Sequence, residues 1–290
     1  MKAILVGFCL FMFLANSQAQ NPDSASRIKI TPWFVEKFKL SAGFFLPVNN
    51  TDIQVGINGS GHGTDIDFES DLGFNTSIGT FLANFQWRIS PRSRVNFSYY
   101  KINRSSSHTL NKDIIFKEDT FHANASVHSF FNTSIYQVSY GYAILSKPKY
   151  EAGVMIGAHL VGGKTGISLN TVSAGISKNS DFGFTAPLPD LGIWGGYAIT
   201  NRLAVNFEGD YLSLTVGDFT GSILAYNIAF TYKIIDNLEI MLGYTGLNCK
   251  VDVVKTNAEG HFKWGYNGPA LAATYSFGKK SWTHLVDSKK

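Results

Sequence analysis

The stretch ILAYNIAFTYKII, Ile223 to Ile235, leaves this chain little choice of secondary structure. Large apolar side chains stand at Leu224, Tyr226, Ile228, Phe230, Tyr232 and Ile234, with Ala225, Asn227, Ala229, Thr231 and Lys233 between them. A strand points successive side chains to opposite faces, so the segment has one aromatic, apolar face and one small, polar face. The alternation recurs. Phe81, Phe85, Trp87 and Ile89 oppose Thr80, Asn84, Gln86 and Arg88, and Tyr136, Val138, Tyr140, Tyr142 and Ile144 oppose Thr133, Gln137, Ser139, Gly141 and Ala143. Leu203, Val205, Phe207 and Tyr211 obey the same rule, as do Leu238, Ile240, Leu242 and Tyr244. Period-2 patterning of this length predicts strands, and no segment between them has a convincing helical period.

The connections alternate between two sizes. Tight turns rich in Pro, Asn, Asp and Ser fall at Ile89–Arg94, Leu145–Tyr150, Ile199–Leu203 and Ile234–Glu239. Longer polar segments fall at Asn49–Asp71, Ser105–Ser126, Gly162–Pro187 and Val251–Gly260, with a shorter link at Gly217–Gly221. About ten strands result, near 38–48, 74–89, 94–104, 127–145, 150–161, 188–200, 202–215, 222–235, 237–250 and 262–278. Eight or twelve stay open as alternatives, because 20–37 and 165–181 can each hide strand residues.

At the N-terminus Lys2 precedes an apolar run, Ala3 to Leu14, and Ser17-Gln18-Ala19 fits the small-x-small rule with cleavage before Gln20. That is the pattern of a signal peptide. The run is shorter than the about 20 residues a membrane-spanning helix needs. A buried N-terminal helix is the rival reading, and the polar NSQAQNPDSAS that follows speaks against it. Removing the segment takes Cys9 away and leaves Cys249 alone, which excludes an intramolecular disulfide framework and a thiolate metal cluster. The net charge of +4 is small and scattered, so it gives no footprint for nucleic acid.

The two faces can then be assigned. In a soluble sandwich or barrel the apolar faces pack inward and the others are well solvated. Here the second face is mostly Gly, Ala, Ser, Thr and Asn, which suits a crowded lumen. The first face ends repeatedly in Tyr, Trp or Phe, as at the two interfaces of a bilayer. A sheet in hydrocarbon has to close on itself, because an open edge leaves backbone groups unsatisfied. The expectation is an all-β fold, a closed antiparallel transmembrane β-barrel running as an up-and-down meander over 38–278, with its apolar face toward lipid. A secreted soluble β-protein is the rival class.

The signal peptide, the aromatic strands, and short turns on one side with long loops on the other resemble the bacterial outer-membrane β-barrel proteins. The last strand, GPALAATYSFG, is similar to the C-terminal assembly signal of that class through Tyr275 and Phe277. It departs through Ala272, where glycine is usual, and through the KKSWTHLVDSKK that follows. The resemblance implies a signal peptide over 1–19, a periplasmic lead over 20–37, the barrel, and a tail over 279–290, with both termini periplasmic. It also implies outer-membrane lipid, lipopolysaccharide and the barrel-assembly machinery as partners. The sequence names no extracellular ligand.

Motifs that carry chemistry are scarce. There is no nucleophile elbow, HExxH, P-loop or paired Cys/His spacing, so no cofactor is expected. His122, Ser126 and His128 share one face if the strand runs through them, and they are the residue types of a Ser–His hydrolase acting on lipid near the membrane surface. The plainer reading is a polar extension of the strand above the bilayer. The leading functional expectation is non-enzymatic: a surface or structural barrel, or a narrow small-solute pathway. Arg88, Arg94, Glu151, Glu208, Asp210 and Glu239 fall on the inward face. Unpaired charges are costly there, so ion pairs that fill the lumen and a selectivity site are the two alternatives. About ten strands enclose little more than their own side chains, whereas open pores usually need about 16 or more.

TDIDFESDLGF sets Asp65, Asp67, Glu69 and Asp71 at every second position. In an extended chain four carboxylates would line up at intervals of about 7 Å. Such a row repels itself. The plainer readings are a solvated acidic loop edge or pairing with basic partners such as Arg88 or Arg94; the alternative is weakly bound Ca²⁺ or Mg²⁺ that orders the first outer loop.

Overall fold

The computed structural model describes residues 31–57, 63–171, 176–255 and 258–278, all within one compact unit, Lys29–Leu285. The expected signal peptide and the tail over 279–290 lie outside the described residues. β1 (Phe38–Phe45) and β2 (Val48–Ile57) are successive pieces of one wall strand, broken at Leu46-Pro47. After the two-residue β3 (Ile66–Asp67) come β4 (Thr80–Arg88), β5 (Ser93–Thr109) and a small hairpin, β6 (Ile114–Phe116) with β7 (Asp119–Phe121). The remaining strands are β8 (Ser126–Ser146), β9 (Tyr150–Thr171), β10 (Ile176–Ala198), β11 (Leu203–Val216), β12 (Phe219–Ile235), β13 (Leu238–Lys255) and β14 (Ala258–Phe277).

The sheet runs β1-β4-β5-β8 and then β9 to β14 in order, with every pair antiparallel. β14 returns to β1 in the register Phe38↔Phe277 to Phe45↔Ala270. The ring is therefore closed. Twelve strands join this sheet; counting β1 with β2 as one and setting aside the two-residue β3 leaves a ten-stranded wall. Closure gives every wall strand two partners, which is the one way a sheet leaves no edge in hydrocarbon.

Exposure follows the alternation. Ile228, Phe230 and Tyr232 on β12 are about half exposed, whereas Ala229 and Thr231 are buried. Outward apolar residues run from Tyr136 to Ile144 on β8 and from Leu224 to Ile234 on β12. Those lengths match the about 9–11 residues of a tilted spanning strand. Aromatic residues border the band: Trp87, Tyr142, Tyr197, Tyr232 and Tyr275 near the short turns, Tyr99, Tyr136, Tyr211 and Tyr244 at the other limit. Register shifts at Ile144–Leu145 and Ile234–Ile235 turn two consecutive apolar residues outward, where bulges locally break the alternation.

Beyond the band the pattern inverts, and several expected loops are corrected. β9 and β10 stay paired out to Thr171↔Ile176, and β13 and β14 out to Lys255↔Ala258, so Gly162–Pro187 and Val251–Gly260 are mostly strand. Lys164, Asn179 and Asp181 are exposed there while Ile167 and Leu188 are buried. A strand that rises above a bilayer meets water on its outer face, so its sequence looks like a loop. β4 starts at Thr80 rather than near 74, and on that side β5 has a strand partner only as far as Tyr100.

Residues 63–79 close the resulting gap between β2 and the outer half of β5. The Phe68 amide donates to Thr51 O (2.9 Å) and the Asn49 amide to Thr76 O (2.7 Å). Arg104 on β5 donates to Thr51 Oγ1 (2.8 Å), Glu69 Oε1 (2.5 Å) and Asn75 O (2.9 Å). This panel turns Ile66, Phe68, Leu72 and Phe74 inward, where they join Phe131, Phe262 and Trp264 of the wall and Ile114, Phe116 and Phe121 of the small hairpin in one buried core. Fully burying each such side chain contributes about 1.5–3 kcal/mol. The outer half of the barrel is thus filled like a soluble β-protein. Cys249 sits in this core as a buried free thiol.

Candidate functional site

The lumen is filled in layers, beginning near the short turns with ion pairs. Arg88 on β4 donates to both oxygens of Glu151 on β9 (2.7 and 3.0 Å), and their side chains are 1% and 3% exposed. Two strands, β5 and β8, separate those elements in the wall, so the pair reaches across the interior. Arginine's planar fork suits this two-point contact with a carboxylate. Arg94 donates to Glu208 (2.8 Å) and stacks 3.7 Å from the Trp194 ring centre, and Lys39 pairs with Glu239 (2.9 Å). Of the six inward charges read from the sequence, five enter these pairs and Asp210 does not. The sequence reading missed Lys39, a cation on the polar face of the first strand.

Above the ion pairs lies a cavity of about 260 Å³. Phe45, Leu82, Tyr100 and Tyr266 line one part, and Asn84, Gln137, His159, Glu208 and Asp210 another. The hydroxyls of Tyr100 and Tyr266 are hydrogen-bonded to each other. His159 Nδ1 is 2.8 Å from Asp190 Oδ2, and both residues are buried. At the short-turn mouth Phe34 and Val35 are buried against Ala198 and Ala204, and Trp33 Nε1 donates to Thr200 O (2.9 Å).

At the outer rim the acidic row is corrected. Only Ile66–Asp67 is extended; the chain then turns, and the four carboxylates take separate partners. Asp67 Oδ1 accepts from the Ser70 amide (2.7 Å) and hydroxyl (3.0 Å), a local turn closure typical of Asp. Glu69 accepts from Arg104 and from the Thr51 amide (2.9 Å), so its basic partner is neither Arg88 nor Arg94. Asp71 pairs with Lys112 (2.8 Å). Asp65 alone points elsewhere, with one oxygen 3.4 Å from His261 Nε2, whose other contact is Asp52 at 2.5 Å. Asp52, Asp65 and His261 bring one ligand atom each within 4.8 Å of one another, the arrangement nearest to a metal site among the described residues. Burial acts to raise the Asp52 carboxyl, but the His261 hydrogen bond and Lys263 hold it below the usual range.

The Ser–His grouping also comes apart. β8 begins at Ser126, and His122 lies in the turn before it, so the three residues do not share a strand face. His122 Nδ1 is 3.2 Å from Asp113 Oδ2, while His128 Nδ1 is 3.2 Å from Ser107 Oγ. The Ala123 amide and then His122 hold the Asp113 carboxyl below its ordinary range. His122, Ser126 and His128 are all exposed, and among the described residues His122 and His128 hydrogen-bond to Asp113 and Ser107 rather than to Ser126.

No protein-family model matches this chain, and no curated protein matches it in sequence. Solved structures do match. The outer-membrane protease OmpT of Escherichia coli is 11% identical, with 84% of this chain and 100% of that chain covered and a TM-score of 0.53. The Pseudomonas putida toluene transporter TodX (9% identity, 84% and 91% covered, TM-score 0.34) and the Yersinia pestis attachment invasion locus protein Ail (10%, 81% and 99%, 0.28) superpose too loosely to add weight. At such identities the likeness speaks for the fold alone: the chain is a closed β-barrel of the bacterial outer-membrane type.

Proposed function

We propose that this protein is an integral outer-membrane barrel that is closed to free solute flow, is not an enzyme, and acts from its outer surface. The observation that carries the reading is the Arg88–Glu151 pair, nearly dry and laid across the lumen. An aqueous channel at that level would hydrate and screen both groups. The packed outer core and the Phe34–Val35 contact at the mouth add barriers on either side. In this reading lipid and lipopolysaccharide surround the apolar band, and the paired ends of the wall, Phe38 and Phe277, face the periplasm.

Planar-bilayer recording of the refolded, gel-shift-competent protein tests the reading. No stable conductance is expected from the wild type, and steady open-channel steps would refute closure. Incubation with lipopolysaccharide and phospholipid, followed by mass spectrometry, is expected to return both unchanged. A deacylated or cleaved product lost in Asp113→Asn would establish an enzyme instead.

A further inference from the structure

We infer that the lumenal cavity is a binding site for a small organic cation with an apolar, ring-sized body. The charged side chains lining the cavity and the layer beneath it are Lys39, Arg88 and Arg94 against Glu151, Glu208, Asp210 and Glu239. Three carboxylates are matched by the three cations at 2.7–2.9 Å. Asp210 is the one left over. It is 3% exposed, its Oδ1 accepts no N–H or O–H, its Oδ2 has a 3.5 Å contact from Gln137 Nε2, and its nearest charged neighbours are the carboxyls of Asp190 and Glu208, with Arg94 already committed to Glu208.

A buried acid without a cation is costly, and an unpartnered oxygen in a cavity wall marks where a donor is missing. Water can meet that need in part, but the rest of the wall favours an organic ligand. Tyr100, Tyr266 and Phe45 supply ring faces and apolar surface to the same space. Such faces attract a cation and cover a small hydrophobic body. The volume of about 260 Å³ lies below the range of about 300–1,000 Å³ usual for drug-sized ligands, so the guest is small. Glu208 and Asp190, the other carboxylates near Asp210, disfavour an anion.

The test uses three near-isosteres on the full mature chain: benzylamine as cation, benzyl alcohol as neutral control and benzoate as anion. Each is added to the folded protein and, separately, during refolding, so that a closed wall does not hide the site. Calorimetry is expected to show one benzylamine per chain, at least tenfold weaker binding of benzyl alcohol, and none of benzoate. Asp210→Asn, checked for heat-modifiable migration, is expected to lose benzylamine binding at least tenfold, while Asp181→Asn at the exposed rim keeps it. Equal binding by the Asp210→Asn barrel, equal binding of the alcohol, or no binding even after refolding with the amine would leave a water-filled lumen and overturn the inference. None of those outcomes depends on the barrel being closed to flow, which the bilayer recording decides separately.

Discussion

Replacing Glu151 by Gln probes the interior at its driest point. The substitution keeps shape but removes the negative charge that holds Arg88, whose side chain is 1% exposed and whose other acceptor is Pro91 O at 3.2 Å. Removing one partner of a buried pair costs about 3–5 kcal/mol, because the remaining charge stays buried. The Gln carbonyl can still accept one N–H, and the Trp194 ring lies 5.8 Å from the guanidinium, so the lower end, about 3 kcal/mol, is expected. Arg88→Met with Glu151→Leu removes both charges and fills the space, so the double variant is expected to be neutral or stabilised by about 1–4 kcal/mol. Urea unfolding in lipid vesicles, followed by tryptophan fluorescence and gel migration, gives both values. A loss below about 1 kcal/mol for Glu151→Gln would put the pair in the range of solvent-screened surface pairs and refute a dry lumen.

Other outcomes follow from the same contacts. Phe131→Ala, at a side chain with no exposure in the outer core, is expected to cost about 3–5 kcal/mol in the same unfolding assay. Arg104→Met cuts the ties from β5 to Thr51, Glu69 and Asn75, so limited proteolysis is expected to nick residues 63–79 at least tenfold faster while the spanning band stays protected. Asp113 has a lowered pKa, so its contribution is present above the unfolded carboxyl value of about 3.9 and is lost as pH falls through the lower folded value. Protection of the Ala123 amide, relative to its intrinsic exchange rate, is therefore expected to fall only below about pH 4 in the wild type, and to be already lost at neutral pH in Asp113→Ala.

Period-2 alternation by itself determined that the spanning part is strand, that Ile228 and Phe230 face away from Thr231, and that the apolar side belongs to lipid. It could do so because a bilayer imposes one rule on every strand that crosses it. The same rule failed above the membrane. From Gly162 to Pro187 the outer face is polar and the inner face carries residues such as Ile167 and Leu188, so a strand there carries no lipid-facing signature. TDIDFESDLGF misled for a related reason. Its spacing is that of an extended chain, yet the Asp67–Ser70 turn and the Arg104–Glu69 pair are set by contacts with β2 and β5. Which inward charges meet was also a tertiary matter, since Arg88 and Glu151 lie on elements separated by two strands, and only closure of the ring brings them together. Asp210 sits on the same polar face as Glu208, and sequence could not tell the two apart. The arrangement across the lumen gave one of them an arginine and left the other facing a cavity.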